Sequence, residues 1–242
     1  MKEIKQRNGF FIMVDGIAGS GKSTVLRAVQ TWAMEQNHSI FKLSDWTDVE
    51  PPRFEDLPEA DIYFTYEPTR SWIGRAIRYE LSRTDHPYSG RSLAHAFALD
   101  REIMYRRLII PALEAGKTII QDRGVCTSLV YQPLMDPSLS LEEVQHLPGN
   151  ELALAYPPNH LILTKISAHE ACARIDCRDD DSKGVFAQLS FLQQLEKRFQ
   201  EPWIKACFEP LGTQIHELDT SGELSSSITR TQTLINDLLT TR

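Results

Sequence analysis

The stretch Gly16-Ile17-Ala18-Gly19-Ser20-Gly21-Lys22-Ser23-Thr24 follows the apolar run 10–14 and precedes a segment with apolar residues at helical spacing, Val25 to about Glu35. This order predicts a strand, a glycine-rich turn and a helix, which is the setting of a phosphate-binding loop. Glycines let backbone N–H groups point into one concavity, and the helix start adds unpaired N–H groups and a positive dipole end. We therefore predict that this stretch binds the phosphates of a nucleoside triphosphate.

The side chains of this stretch have different predicted roles. Lys22 is expected to reach the outer phosphates of the nucleotide, and Ser23 to give its hydroxyl to Mg²⁺. The remaining predicted contacts of the nucleotide are Gly16, Gly19, Ser20, Gly21 and Thr24. A nucleoside triphosphate and Mg²⁺ are therefore the predicted ligands.

Composition limits the classes of protein that remain. The 242 residues carry a formal net charge of -7, and no basic run offers the neutralisation that a nucleic-acid backbone requires. No apolar run reaches the length of a membrane span, and the first residues lack the apolar segment of a secretory signal. The four cysteines show neither CxxC spacing nor the setting of a small secreted protein. We expect a reduced, cytoplasmic protein that binds neither a nucleic-acid polymer nor a membrane.

Apolar runs of strand length alternate with segments of helical periodicity. Strands are expected at residues 10–14, 39–43, 61–66, 117–121, 160–164 and 213–218. The longest helical candidates span 93–115, interrupted near Pro111, and 185–206, while a proline-rich, acidic surface excursion spans about 45–60. This alternation predicts an α/β fold in which helices cover both faces of a parallel sheet.

Residues that can carry chemistry follow three of these strands. Gly16, Glu67 and Asp122 fall at the expected carboxyl ends, where ligands collect on a parallel sheet. Asp122 is expected to hold Mg²⁺ or its waters beside the loop. Arg123 would then lie where a second, phosphate-bearing substrate approaches, because a guanidinium fork suits phosphate oxygens.

A second charged segment contains Arg174 and Arg178, four residues apart, followed by an acidic run. Phosphoryl transfer needs positive charge at the equatorial oxygens of the migrating group and the exclusion of water. A lid that carries arginines would supply both on closing. We therefore expect a lid over about residues 174–185. The predicted catalytic residues are Lys22, Asp122, Arg123, Arg174 and Arg178.

Several blocks of the sequence, in addition to the phosphate-binding loop, resemble the thymidylate kinase family. They are Ala96 to Arg101, Ile110 to Arg123, Ser128 to Gln132, and the arginines at 174 and 178 with the helix from Phe186 to Phe199. The resemblance implies a three-layer P-loop fold with a five-stranded parallel sheet, forming a single kinase domain over residues 1–242. It also implies ATP with Mg²⁺ as the phosphoryl donor and a deoxynucleoside monophosphate, dTMP first of all, as the acceptor. The family is usually homodimeric, so the resemblance implies a homodimer as well.

The same resemblance assigns roles to residues of an acceptor site. Phe97 would stack on the base, Arg101 would contact the base, and Arg123 would bind the acceptor phosphate. Tyr131 and Gln132 would line the pocket for the base and sugar, and Glu67 and Ser128 complete the predicted substrate-binding set. Because the loop contains no arginine, the lid would donate the catalytic arginine.

This chain departs from the family pattern at three positions. Ala18 stands where the family usually has an acid, Gly124 where it commonly has tyrosine, and Tyr66 where it has arginine before Glu-Pro. All three positions belong to the part of the site expected to bind the acceptor, and none belongs to the part expected to bind ATP. The sequence therefore predicts the donor chemistry more closely than the acceptor.

Two alternatives stay open at this point. The run from Glu67 to Trp72 is similar to a Glu-Pro-x-x-x-Trp pattern of deoxynucleoside kinases, in which the glutamate is the general base for a sugar 5′-hydroxyl. A neutral hydroxyl needs such a base, whereas a phosphate is already a nucleophile. A non-catalytic P-loop switch would keep Lys22, Ser23 and Asp122 without any acceptor pocket.

Overall fold

A parallel sheet of six strands forms the centre of the computed structural model, which describes residues 8–83, 87–177 and 188–240. The strands are β1 (Phe10–Asp15), β2 (Ile40–Lys42), β3 (Ile62–Tyr66), β4 (Thr118–Asp122), β5 (His160–Lys165) and β6 (Gln214–Asp219). Their spatial order is β2-β3-β4-β1-β5-β6. The α/β class and the parallel sheet that were predicted are confirmed.

The sheet count of five that the resemblance implied is wrong, because both outer strands, the short β2 and the longer β6, pair in register. At one edge, Ile40–Lys42 pairs with residues 62–64 of β3, and the carboxylate of Asp61 accepts hydrogen bonds from Ser39 N at 2.8 Å and Ser39 Oγ at 2.7 Å. At the other edge, β6 pairs with β5 along its whole length. All six segments with strand-like patterns therefore contribute a strand.

Eleven α-helical segments of the described residues surround the sheet. They are α1 (Lys22–Glu35), α2 (Trp72–Ala76), α3 (Gly90–Met104), α4 (Ile110–Glu114), α5 (Val125–Met135), α6 (Leu141–Gln145), α7 (Pro148–Ala155), α8 (Ala168–Asp176), α9 (Leu189–Phe199), α10 (Trp203–Phe208) and α11 (Leu224–Thr240). Successive strand residues point to opposite faces. Ile12 and Val14 pack with α1 and α11, whereas Phe11 and Met13 belong to the larger core beneath the other helices. The expected three layers result.

Two helix predictions need correction. Near Pro111 the chain stays helical but its hydrogen-bond pattern changes: a π-helical turn, Tyr105–Ile109, joins α3 to α4, and Pro111 lies at the start of α4. The helix predicted over 185–206 is two helices, α9 and α10, separated at residues 200–202, where Pro202 cannot continue the hydrogen-bond ladder. Residues 185–187 lie outside the described part.

The described helices include none that is long and apolar enough to span a membrane. In the described part of the chain, no disulfide joins the four cysteines, Cys126, Cys172, Cys177 and Cys207.

Candidate active site

The loop between β1 and α1 has the backbone geometry of a phosphate cradle. Gly19 and Gly21 adopt left-handed conformations with φ of 75° and 83°, and α1 begins immediately afterwards at Lys22. A Cβ at Gly19 would lie 2.4 Å from the carbonyl oxygen of Ala171, so the loop requires glycine there for space as well as conformation.

Buried hydroxyl groups fix this loop from below. Ser20 Oγ lies 2.6 Å from Thr164 Oγ1, which also donates to the carbonyl of Asp15 at 3.0 Å. Thr220 Oγ1, just beyond β6, donates to the carbonyl of Ser20 at 2.7 Å. Contacts from two strand ends therefore support the shape of the loop.

The buried ammonium of Lys22 lies against the mouth of the loop. Its Nζ donates to the carbonyl oxygens of Gly16 at 3.0 Å and Ile17 at 2.6 Å. Ser23 is exposed at the second position of α1. These positions suit the predicted roles of the two side chains toward phosphate and Mg²⁺.

Asp122 fits a metal-binding role because of an unused oxygen. It ends β4 opposite Val14 of β1, and its Oδ1 atom is buried without a hydrogen-bond partner among the described residues. A carboxylate oxygen with unused lone pairs suits a hard divalent cation. Within the same part of the chain, no group of three or more His, Cys, Asp or Glu side chains could hold a metal. The donor set fits Mg²⁺, which keeps waters and takes oxygens from substrate phosphates.

A second pocket of about 350 Å³ opens beside the loop, and we call it the acceptor pocket because it gathers all seven residues that were predicted to bind the acceptor. Those residues are Glu67, Phe97, Arg101, Arg123, Ser128, Tyr131 and Gln132. They come from the end of β3, from α3, from the end of β4 and from α5. The sequence did not single out five further lining residues, which are Pro68, Arg78, Ser82, Thr127 and Met135. Ala18 and Gly124, two of the family departures, also line this pocket.

A buried ion pair between Glu67 and Arg101 forms the back of the pocket. Arg101 is 1% exposed; its Nε lies 3.1 Å from Glu67 Oε1 and its Nη2 lies 2.5 Å from Glu67 Oε2. Arg101 Nη1 donates to Asn150, and Nη2 also donates to Ser128 Oγ at 2.9 Å. Four of the five guanidinium donors are thus engaged. The predicted contact of Arg101 with a base is limited to the remaining N–H.

The environment of Glu67 bears on its proposed use as a base. Its Oε1 accepts from both Arg101 Nε and Gln121 Nε2, the latter at 3.0 Å, and its Oε2 accepts from Arg101 Nη2. Burial raises the pKa of Glu67, and the guanidinium of Arg101 opposes that rise. Because both oxygens already accept charge-assisted or amide hydrogen bonds, the carboxylate is committed to holding Arg101.

Arg123 is held over the mouth of the phosphate loop. Its backbone is left-handed, with φ of 64°, which is strained for a residue other than glycine. Its Nη1 donates to the carbonyl of Gly16 at 3.1 Å, and its guanidinium carbon lies 5.7 Å from the centre of the Tyr131 ring. The same carbonyl oxygen accepts from Lys22, so cations of the donor and acceptor sides meet at one atom.

Arg78 is the charged residue of the pocket that sequence reasoning missed. It lies in the π-helical turn Ile77–Leu81 after α2, where no motif marks it. Its Nε donates to the carbonyls of Pro68 and Thr69, each at 3.0 Å, and its guanidinium carbon lies 5.4 Å from the centre of the Tyr66 ring. The signal that could have found it is an arginine on the helix that follows Glu67-Pro68.

Arg174 lies away from the acceptor pocket, on the donor side of the loop. Its Nη2 donates to Glu170 Oε1 at 2.7 Å and to the carbonyl of Thr220 at 2.8 Å. Together with Gly21 and Leu224 it lines a cleft of about 220 Å³ next to the start of α1. Arg178 and most of the predicted lid, 174–185, lie outside the described residues. The structure therefore describes one of the two predicted lid arginines.

Trp72 does not share the acceptor pocket with Glu67. It is 48% exposed, and the guanidinium carbon of Arg107 lies 5.4 Å from the centre of its ring. The resemblance to a Glu-Pro-x-x-x-Trp pattern therefore does not extend to the arrangement of these side chains in the pocket.

The phosphate loop, the pocket beside it and the parallel sheet define a P-loop phosphotransferase. A profile of the thymidylate kinase family matches residues 53–224, which is more than two thirds of the chain. The chain belongs to the thymidylate kinase family. The matched region begins after the phosphate loop, so the loop geometry is an independent observation.

Individual relatives agree with the family profile. A probable thymidylate kinase of Pyrococcus abyssi is 29% identical over 202 residues, which cover 81% of this chain and 82% of that protein. A thymidylate kinase of Bacillus licheniformis is 28% identical over 198 residues, with 80% and 82% covered. A thymidylate kinase of Caldicellulosiruptor saccharolyticus is 24% identical over 236 residues, with 97% and 99% covered.

Replacing Glu67 with glutamine should destabilise the fold, because the charge of Arg101 would remain buried without its counter-ion. We expect Glu67→Gln to lower the free energy of unfolding by about 3 kcal/mol, measured by urea denaturation. The control is Glu55→Gln, which removes a largely exposed partner of Arg53 and should cost less than about 0.5 kcal/mol. Equal, small effects of both variants would contradict the role of Glu67 as a structural counter-ion.

Proposed function

We propose that this enzyme is a dTMP kinase that transfers the γ-phosphoryl group of ATP to dTMP, giving dTDP and ADP. The observation that carries the proposal is the pocket beside the loop, which combines three guanidinium groups, two aromatic rings and buried amide and hydroxyl groups. A phosphate, a planar base and a sugar require these three kinds of contact. The names of the relatives support the choice of thymidylate.

The acceptor phosphate would bind between Arg123 and Arg78. Both guanidinium groups line the pocket, and Arg123 donates to the same carbonyl as Lys22. A phosphate held there would lie next to the terminal phosphate of a nucleotide in the loop. This proximity supports direct transfer, since an anionic phosphate oxygen is already a nucleophile and needs no general base.

The base would lie between the ring of Phe97 and the amide of Gln132. Gln132 Oε1 is buried at the pocket and has no hydrogen-bond partner among the described residues. An unpaired buried acceptor calls for a donor from the ligand. The imide N–H of thymine is such a donor, and the half-buried ring of Phe97 offers a stacking surface.

On the donor side, Lys22 and the loop N–H groups would bind the β- and γ-phosphates. Ser23 and Asp122 would hold Mg²⁺, which when bound neutralises developing charge on the phosphates. Arg174 was predicted to be catalytic; because it lines the cleft with Gly21 and Leu224, we propose instead that it contacts the nucleoside part of ATP. Arg178 remains our proposed source of positive charge on the migrating group. We propose that these donor and acceptor sites belong to one kinase domain.

The acceptor panel is the direct test of this proposal. Purified enzyme with ATP and Mg²⁺ is assayed for ADP formation with nucleoside monophosphates and with free nucleosides, and the products are separated by chromatography. We expect turnover with dTMP to give dTDP and little turnover with free thymidine. Phosphorylation of free deoxynucleosides alone would favour Glu67 as a base. Absence of any phosphorylated product while ATP still binds would favour a P-loop switch.

Donor-side variants should separate three roles in one assay. Lys22→Ala should abolish turnover, because the charge against the outer phosphates is lost. Asp122→Asn should raise the Mg²⁺ concentration that half-maximal rate requires, while Arg174→Ala should raise the KM for ATP and leave that for dTMP nearly unchanged. The exposed pair of Arg91 with Glu143 provides the control Arg91→Ala, for which we expect wild-type constants. Near-normal kcat in Lys22→Ala would overturn the donor site.

We further propose that the enzyme is a homodimer, as the resemblance to its family implies, and that it is cytoplasmic, as the cysteine pattern predicts. Trp72, Tyr79 and Leu99 are exposed on the helical segments next to the acceptor pocket and offer apolar area to a second copy. Sedimentation equilibrium should therefore give twice the chain mass of 27.6 kDa. A particle of a single chain mass at micromolar concentration would contradict the dimer, and cell fractionation would check the location.

A further inference from the structure

A carboxylate outside the predicted set lies between the two substrate sites. Asp15 ends β1, is 0% exposed, and immediately precedes the phosphate loop. Burial raises the pKa of Asp15, and the positive charges of Arg123 and Lys22 oppose that rise. A charged group at this depth is costly unless its surroundings compensate it, so its contacts deserve a functional explanation.

The contacts of Asp15 connect the donor loop with the acceptor pocket. Its Oδ1 accepts from Gly16 N at 2.8 Å and from Thr127 Oγ1 at 2.6 Å, and its Oδ2 lies 2.8 Å from the same hydroxyl. Thr127 lines the acceptor pocket, and its oxygen lies 3.5 Å from Arg123 Nη1. Arg123 Nη1 is itself 3.8 Å from Asp15 Oδ1. One carboxylate therefore orients the hydroxyl that faces the acceptor arginine.

The electrostatic arrangement explains why a negative charge is needed there. Lys22 and Arg123 both donate to the carbonyl of Gly16, at 3.0 and 3.1 Å, so two cations converge on one neutral oxygen. Two positive groups that donate to the same oxygen repel each other strongly where solvent is largely excluded. The carboxylate of Asp15 offsets that repulsion and allows the strained backbone of Arg123 to keep its guanidinium at the loop.

We propose that Asp15, acting with Thr127, is a positioning residue that holds the Arg123 guanidinium against the phosphate loop and so sets the acceptor phosphate in line with the donor. Asp15 contacts neither substrate in this arrangement and acts only through Arg123. The inference rests on the proposed role of Arg123 in binding the acceptor phosphate.

The variant Asp15→Asn tests the charge with little change of shape. An asparagine Oδ1 can still accept from Gly16 N and from Thr127, whereas its amide group cannot offset the charge of Arg123. We expect kcat/KM for dTMP to fall about 10- to 100-fold, as for a misplaced catalytic contact, while the KM for ATP stays within about twofold of wild type. A parallel rise in both KM values would overturn the inference, because it would indicate a general loss of loop structure.

Thr127 supplies a matched pair of variants. Thr127→Val removes the hydroxyl at nearly constant shape and should lower kcat/KM for dTMP about 10-fold, while Thr127→Ser should restore most of that loss. If serine and valine gave the same activity, the hydroxyl would not be the connecting group and the proposal would fail.

A double-mutant cycle distinguishes this inference from the function on which it rests. Asp15→Asn is measured in the wild type and in Arg123→Ala, and it should change kcat/KM for dTMP by less than about twofold in the second background. An equal loss in both backgrounds would show that Asp15 does not act through Arg123. An Arg123→Ala variant with an unchanged KM for dTMP would instead overturn the proposed acceptor site. Should Asp15→Asn fail to fold, Thr127→Val replaces it in the cycle.

Discussion

The site depends on a parallel hydrogen-bond ladder that continues one residue beyond the ends of two strands. Val14, Tyr66 and Asp122 lie side by side in register on β1, β3 and β4. Beyond them, Glu67 N donates to the carbonyl of Asp122 at 3.0 Å, and Arg123 N donates to the carbonyl of Val14 at 2.8 Å. Because the backbone fixes these positions, Asp15, Glu67 and Arg123 form one row of charges at the carboxyl edge of the sheet. The helices then only need to supply partners for that row.

The partners explain why so much charge is buried at this edge. Glu67 is neutralised by Arg101, and Arg101 in turn is held by Asn150 and Ser128. Replacing such a pair with apolar residues could leave stability unchanged or even raise it, so stability alone does not account for its presence. The geometry of the ion pair accounts better for its presence. The pair forms a polar wall that keeps the pocket open between β3, α3 and α5.

The sequence predicted what depends on local pattern and missed what depends on distant contacts. Gly16, Lys22 and Asp122 could be identified because loop, strand end and helix start each leave a pattern in neighbouring residues. Arg78 and Thr127 lie on helical segments without such a pattern, and only the fold brings them to the pocket. Arg101 was expected to face a base, yet four of its five donors serve Glu67, Asn150 and Ser128, which lie 27 to 49 residues away in the sequence. The single helix predicted to end near residue 206 was divided by Pro202.

Gly124, one of the departures from the family pattern, is closely packed behind the pocket wall. A Cβ at this position would lie 2.5 Å from Met13 Cε and 3.0 Å from Gln121 Nε2. Gln121 Nε2 is the atom that donates to Glu67, so glycine keeps this amide against the buried ion pair. A larger residue would have to displace Met13 or Gln121 before its side chain reached the acceptor. The identity of residue 124 is therefore coupled to the pair of Glu67 and Arg101, and the position cannot be considered as a contact of the acceptor alone.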